Sequence, residues 1–153
     1  MLPDTCMLNI NLNAPVVCKK NITINATSVA VWDVLTGIDN WSVWQPDIKK
    51  SSLKGPLEKG SGFTWKSGGM NINSSIHIAE PYTLFGWSGK TLGLTAVHNW
   101  KIVELNKQTE VHVEESMEGL LAKLFKKTLN KTLEKNMERW LNFLKEYCER
   151  KQE

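Results

Sequence analysis

Between residues 118 and 151 the chain contains no proline and, after Gly119, no glycine. Leu121, Phe125, Leu129, Leu133, Met137 and Trp140 follow one another at spacings of three and four. That is the repeat of one helical face, so the stretch is predicted to be one long amphipathic helix. At about 100° per residue, Leu121, Leu124 and Phe125 point one way, and Met137, Leu141 and Leu144 point more than a quarter turn round from them. A stripe that rotates in mid-course predicts a bend near residues 127–131 or two different packing partners. The back half is expected to grip a sheet and the front half to lie over the rim of a cavity.

What the helix grips follows from the rest of the chain. Residues 1–14 show no period and are expected to form a loose arm. Residues 16–25 alternate as a strand, with Cys18, Ile22 and Ile24 on one face. Asn25 or Thr27 then caps a short helix that buries Val31, Leu35 and Ile38 and ends near Gly37. Asp39 or Asn40 starts a second, very short helix that Pro46 stops, leaving Trp41 and Trp44 on one side. From residue 48 the period changes to two. Strands are expected at 48–54, 62–66, 71–79, 84–88, 94–105 and 109–117, separated by turn-forming pieces such as Gly55-Pro56, Ser67-Gly68-Gly69 and Ser88-Gly89-Lys90. Short connections between successive strands mean an antiparallel meander rather than a parallel, doubly wound sheet.

At 153 residues there is room for one domain, taken here as 1–153, with a core of its own. A net charge of +3 gives no general reason to expect a nucleic-acid partner. Cys6, Cys18 and Cys148 cannot all pair and have no CxxC spacing, which favours a reduced, cytoplasmic protein. The first residues lack the basic and apolar blocks of a secretory leader. No stretch reaches the roughly 20 apolar residues that span a bilayer, so stable membrane insertion is not expected.

Several short motifs occur in a fixed order: Val31-Trp32; Trp41-x-x-Trp44-x-Pro46; Gly60-Ser61-Gly62-Phe63 with Thr64-Trp65; Ala96-x-His98-x-Trp100; and Glu114-Glu115-Ser116-x-x-Gly119. Together, over about residues 16–148, they resemble the polyketide cyclase/dehydrase branch of the START-related helix-grip superfamily (SRPBCC). The resemblance implies an α+β helix-grip fold, with a curved antiparallel sheet of about seven strands wrapped around the long C-terminal helix and two short helices after the first strand. It also implies an internal cavity for a hydrophobic or aromatic small molecule. The superfamily holds carriers, receptors, cyclases and co-chaperones, so it does not imply one activity.

Alternation sorts the side chains that would line such a cavity. On 94–105 the inward set is Leu94, Ala96, His98, Trp100 and Ile102, because the other register buries Asn99 and Lys101. On 109–117 it is Val111, Val113, Glu115 and Met117. Phe63 and Trp65, then Ile72, Ser74, Ile76 and Ile78, and Phe85 with Trp87 form the remaining walls. Trp44 joins them from the short helix, and Leu121, Leu124, Phe125 and Leu129 from the long one. Trp32 and Trp140 are expected to pack between helices and sheet. His77 and His112 fall on the outward register and are expected at the surface.

His98 and Glu115 are the polar exceptions. A hairpin around Asn106-Lys107 brings them opposite one another, within hydrogen-bonding reach. They are candidates for moving protons on a ligand, or they form a buried polar pair that satisfies itself. No nucleophile, nucleotide-binding or metal motif accompanies them, so no cofactor is expected. Lys123, Lys126, Lys127 and Lys131 lie on the exposed side of the front of the helix. They form either a solvated face or a docking site for anionic head groups, phosphate or an acidic partner. The function expected is binding of a lipid or polyketide-like compound, with a cyclase/aromatase or dehydratase-type enzyme as the alternative.

Overall fold

The computed structural model describes residues 6–152. Its seven strands are β1 (Val16–Ile24), β2 (Ile48–Lys54), β3 (Gly62–Ser67), β4 (Met70–Glu80), β5 (Leu84–Thr91), β6 (Leu94–Leu105) and β7 (Gln108–Glu118). They form one antiparallel sheet in the order β1-β7-β6-β5-β4-β3-β2. Between β1 and β2 lie α1 (Ser28–Thr36), a single 3-10 turn and α2 (Trp41–Trp44). The Thr27 hydroxyl accepts from the amide of Ala30 and so caps α1.

The C-terminal helix is broken. α3 (Leu120–Leu124) and α4 (Lys126–Arg150) meet at Phe125, whose φ of −110° and ψ of 29° leave the helical well. The bend is real and lies slightly before the expected 127–131. α4 buries Leu133, Met137, Trp140, Leu141, Leu144 and Cys148 against the sheet. It is also fastened to both edge strands. At β1, the Asn130 amide group bridges the Val17 N–H and the Pro15 carbonyl, and Lys20 reaches Glu134 and Glu138 at 2.9 Å each. At the start of β2, Arg139 donates twice to Asp47, at 2.7 and 2.8 Å. A sheet whose two edges meet one helix has to curve around it, and the concave face becomes the interior.

The two ends of this grip differ. At one end, α1 and α2 close the opening. Trp41 is fully buried there, packs edge-on to Phe63, Trp65 and Trp140, and donates its indole N–H to the Leu35 carbonyl. Trp32 meets Phe85 and Tyr82, each at 6.1 Å between ring centres. At the other end the β3–β4 turn, the β5–β6 turn and α3 leave a mouth.

Three expectations are corrected on the outer face. His77 was expected at the surface but is buried, with its Nε2 2.8 Å from Asn99 Oδ1. A bulge between Ile76 and Ile78 breaks the alternation there, and Ile78, expected inward, is buried outside the main core cluster. Asn99, expected in water, is buried because its amide donates to the Leu8 carbonyl. The arm expected to be loose is held as far as it is described: Ile10 is buried, and the Asn11 N–H donates to Ser116 Oγ. Residues 1–5 of that arm lie outside the described residues. His112 is on the surface, beside Glu110.

Candidate functional site: a half-filled hollow between sheet and helix

The cross-strand register explains why the interior is solid at one end and hollow at the other. One row across the sheet reads Phe63, Ser74, Gly89, Ala96 and Met117, each directly opposite the next. Three consecutive small residues, Ser74, Gly89 and Ala96, leave the concave face without bulk. A Cβ on Gly89 would sit 3.0 Å from Ser74 Oγ, so glycine fits a close approach here rather than a turn. This corrects the expected turn at Ser88-Gly89-Lys90: β5 continues to Thr91. The next row towards the closed end reads Ile76, Trp87, His98 and Glu115. Trp87, His98 and Glu115 of that row form a floor.

The resulting cavity has a volume of about 350 Å³. Trp65, Trp87, Trp100 and Trp140 stand around its inner part. Leu129, Leu133, Asn136 and Met137 of α4 roof it, and Asp47, Gly68, Met70 and Thr91 stand at its mouth. The lining is apolar apart from a few placed polar groups, the make-up of a small-molecule pocket.

Of the residues expected to line it, Trp65, Ile72, Ser74, Trp87, Leu94, Ala96, His98, Trp100, Val113, Glu115, Met117 and Leu129 do so. Phe63, Ile76 and Phe85 do not reach it. They are almost wholly buried in the aromatic packing of the closed end, as is Trp44, which lies edge-on to Trp140 at 5.5 Å. Leu121 and Phe125 do not line it either, because the break at Phe125 carries α3 off the stripe of α4. Phe125 is exposed and Leu121 lies against Gly93. Trp140, expected only to pack, both anchors the aromatic cluster and faces the cavity. Thr132, Leu133, Asn136 and Met137 were not expected there. Their spacing of three and four with Leu129 and Trp140 is the sequence signal that places them on one side of α4.

His98 and Glu115 come together as the hairpin pairing predicts. The His98 Nδ1 lies 2.6 Å from Glu115 Oε2, and both residues are buried. The carboxylate fixes Nδ1 as the protonated nitrogen and leaves Nε2 as an acceptor in the neutral ring. The imidazole lies flat on Trp87, with ring centres 4.4 Å apart and planes 6° from parallel. Two buried groups in this lining have no partner, His98 Nε2 and Trp100 Nε1. Both are packed against protein rather than open to the hollow, and leaving such groups unmade costs roughly 1–3 kcal/mol each.

Charge elsewhere at the site is localised. At the mouth, hydrogen bonds from Arg139 hold the Asp47 carboxyl below its ordinary value. Cys148, under α4, is pushed up to about 12 by burial and is an inert thiol. Cys18, across β1–β7 from Glu115, is also raised by burial. All three cysteines are free. No helix among the described residues is long and apolar enough to cross a membrane.

Comparison with known proteins agrees with this geometry. The family model described as polyketide cyclase / dehydrase and lipid transport matches residues 16–149. No curated protein matches the sequence. Among solved structures, a hypothetical protein from Helicobacter pylori superposes with a TM-score of 0.80 at 16% identity, covering 94% of this chain and 98% of that one. The Zhui aromatase/cyclase from Streptomyces superposes with a TM-score of 0.77 at 14% identity, covering 90% and 95%. A START superfamily protein from Mycobacterium smegmatis does so with 0.72 at 15% identity, covering 88% and 97%. At such identities the likeness establishes the helix-grip fold, and the site has to be argued from its own residues.

Proposed function

The chain belongs to the polyketide cyclase/dehydrase and lipid transport family, and from that premise we propose that it binds a hydrophobic or aromatic small molecule, lipid or polyketide-like, in the hollow between sheet and α4. The observation that carries this reading is the small-residue row Ser74, Gly89 and Ala96, set beside a floor of indoles under a cavity of about 350 Å³. Had that row been bulky, the interior would be solid. A volume near the lower end of the usual 300–1,000 Å³ range suits a compact ligand, such as a fused-ring compound or one lipid tail. Native extraction with mass spectrometry tests the reading. One apolar compound, bound one-to-one and exchanged by a competing apolar probe, is the expected result; a chain that releases nothing and takes up no probe would defeat it.

A second reading rests on the 2.6 Å contact between His98 and Glu115 at the cavity wall. In an enzyme of the cyclase/aromatase or dehydratase kind, the His98–Glu115 pair would move protons on the guest once a shift of neighbouring side chains opens the imidazole to it. His98→Gln and Glu115→Gln separate the two readings. In a carrier they change affinity modestly, and in an enzyme they lower turnover of a bound polyketide-like chain by at least about 100-fold.

A further inference from the structure

We propose that the open end of the molecule docks on the surface of a bilayer rich in anionic lipid. This goes beyond the cavity's occupant and rests on the outside of the protein. Four large apolar side chains there stand in water: Leu92 is 81% exposed, Leu120 69%, Leu124 65% and Phe125 55%. They form one region rather than scattered singles. Leu121 of α3 packs on Gly93, and a Cβ at Gly119 would collide with the Gly93 carbonyl, so the β5–β6 turn and the start of α3 are in contact. α3 is held against β6 and β7 with Ala122 fully buried beneath it, which leaves Leu120 and Leu124 largely uncovered among the described residues. Met70, 43% exposed, lines the nearby cavity mouth.

Charge chooses the occupant. From residue 119 to 133 the chain carries Lys123, Lys126, Lys127 and Lys131 and no acidic residue, and the first carboxylate that follows is Glu134. All four lysines are exposed, and none pairs with a carboxylate among the described residues. Exposed leucine and phenylalanine interleaved with lysine match the two parts of a lipid interface: apolar side chains enter the acyl boundary and ammonium groups meet anionic head groups. A neutral apolar protein surface would not call for the lysines. A polyanion such as nucleic acid would not call for the leucines. The docked face adjoins the mouth where Thr91 and Leu94 line it, so a guest drawn from the membrane would have a short path to the cavity.

Flotation with vesicles tests this directly, using phosphatidylcholine alone and phosphatidylcholine with phosphatidylserine. The intact chain is expected to partition onto the anionic vesicles at least about tenfold better than onto the neutral ones, and less as salt rises. The pair Leu124→Ser and Phe125→Ser is expected to lose about tenfold or more of that partitioning. Reversal of Lys123, Lys126, Lys127 and Lys131 to glutamate should abolish it. All six positions are exposed, so thermal melting should stay near that of the unaltered chain; if one set misfolds, the other still gives the readout. Absence of partitioning, equal partitioning onto both vesicles, or unchanged partitioning of both variants would overturn the proposal. So would a homodimer, dispersed by the serine pair, in a chain that ignores vesicles. Solution uptake of an apolar probe by the same variants reports the cavity separately and is expected to be unchanged.

Discussion

The closed and open ends of the grip are built from the same residue types and do opposite things. At the closed end Trp41, Phe63, Phe85 and Trp87 pack in edge-on and tilted pairs with centroids 5.3–5.6 Å apart, and the indole N–H of Trp41 is satisfied. At the open end Trp65 and Trp140 meet a gap instead, because one row of the sheet is Ser74, Gly89 and Ala96. An aromatic ring is therefore core or cavity wall according to what packs over it, Trp41 over Phe63 at one end and a gap beside Trp65 and Trp140 at the other, and its own identity does not decide. The closed end stabilises the fold, and the open end is left free to bind.

This contrast can be broken by substitution. Trp41→Ala should cost about 3–5 kcal/mol, read as a lowered urea midpoint, because it empties the centre of the closed end. A loss below about 1 kcal/mol would mean that the end is not a packed core. Ala96→Leu, in the small-residue row, should leave the unfolding free energy from urea titration within about 1 kcal/mol of the unaltered chain while weakening uptake of an apolar probe about tenfold or more. Equal damage to stability by both substitutions would erase the distinction between the ends.

Two smaller effects sharpen it through pH. Burial lowers the His77 pKa, so the unfolded chain takes up this proton first as pH falls below the ordinary 6.5. Stability contributed by neutral His77 is present above that value and lost below it. The unaltered chain should accordingly lead His77→Gln in thermal midpoint at neutral pH, and the gap should narrow on acidification. A gap that widens in acid would contradict the burial of this ring. Asp47 is the weakest case, since the carboxyl and its Arg139 partner are each well exposed. Its lowered pKa means that the contribution exists above the ordinary 3.8 and fades as pH falls through the folded value. Asp47→Asn should lower the thermal midpoint slightly at neutral pH and not at all in strong acid.

Much of this architecture was legible because it is written in local period. The alternation of β6 and β7 placed His98 opposite Glu115, and the rotating apolar stripe of one long helix predicted a bend near residues 127–131 or two packing partners, where the helix in fact breaks at Phe125. What could not be read depends on partners distant in sequence. Ser74, Gly89 and Ala96 come from three strands and make a hollow only after register aligns them, so Gly89 looked like a turn residue. The bulge at His77 and the arm over Asn99 override alternation locally, and nothing in a period of two announces either. Leu121 and Phe125 were assigned to the cavity because the stripe was followed through the break, whereas the irregular backbone at Phe125 turns α3 outward.

The central claim is that the open end holds an unfilled, apolar space which accepts a guest. Titration of tryptophan emission with an apolar probe, run side by side on the unaltered chain and on Ala96→Leu, tests it most directly. Saturable one-to-one quenching that the leucine suppresses is the result predicted. Quenching that never saturates, or that is identical in both chains, would contradict it.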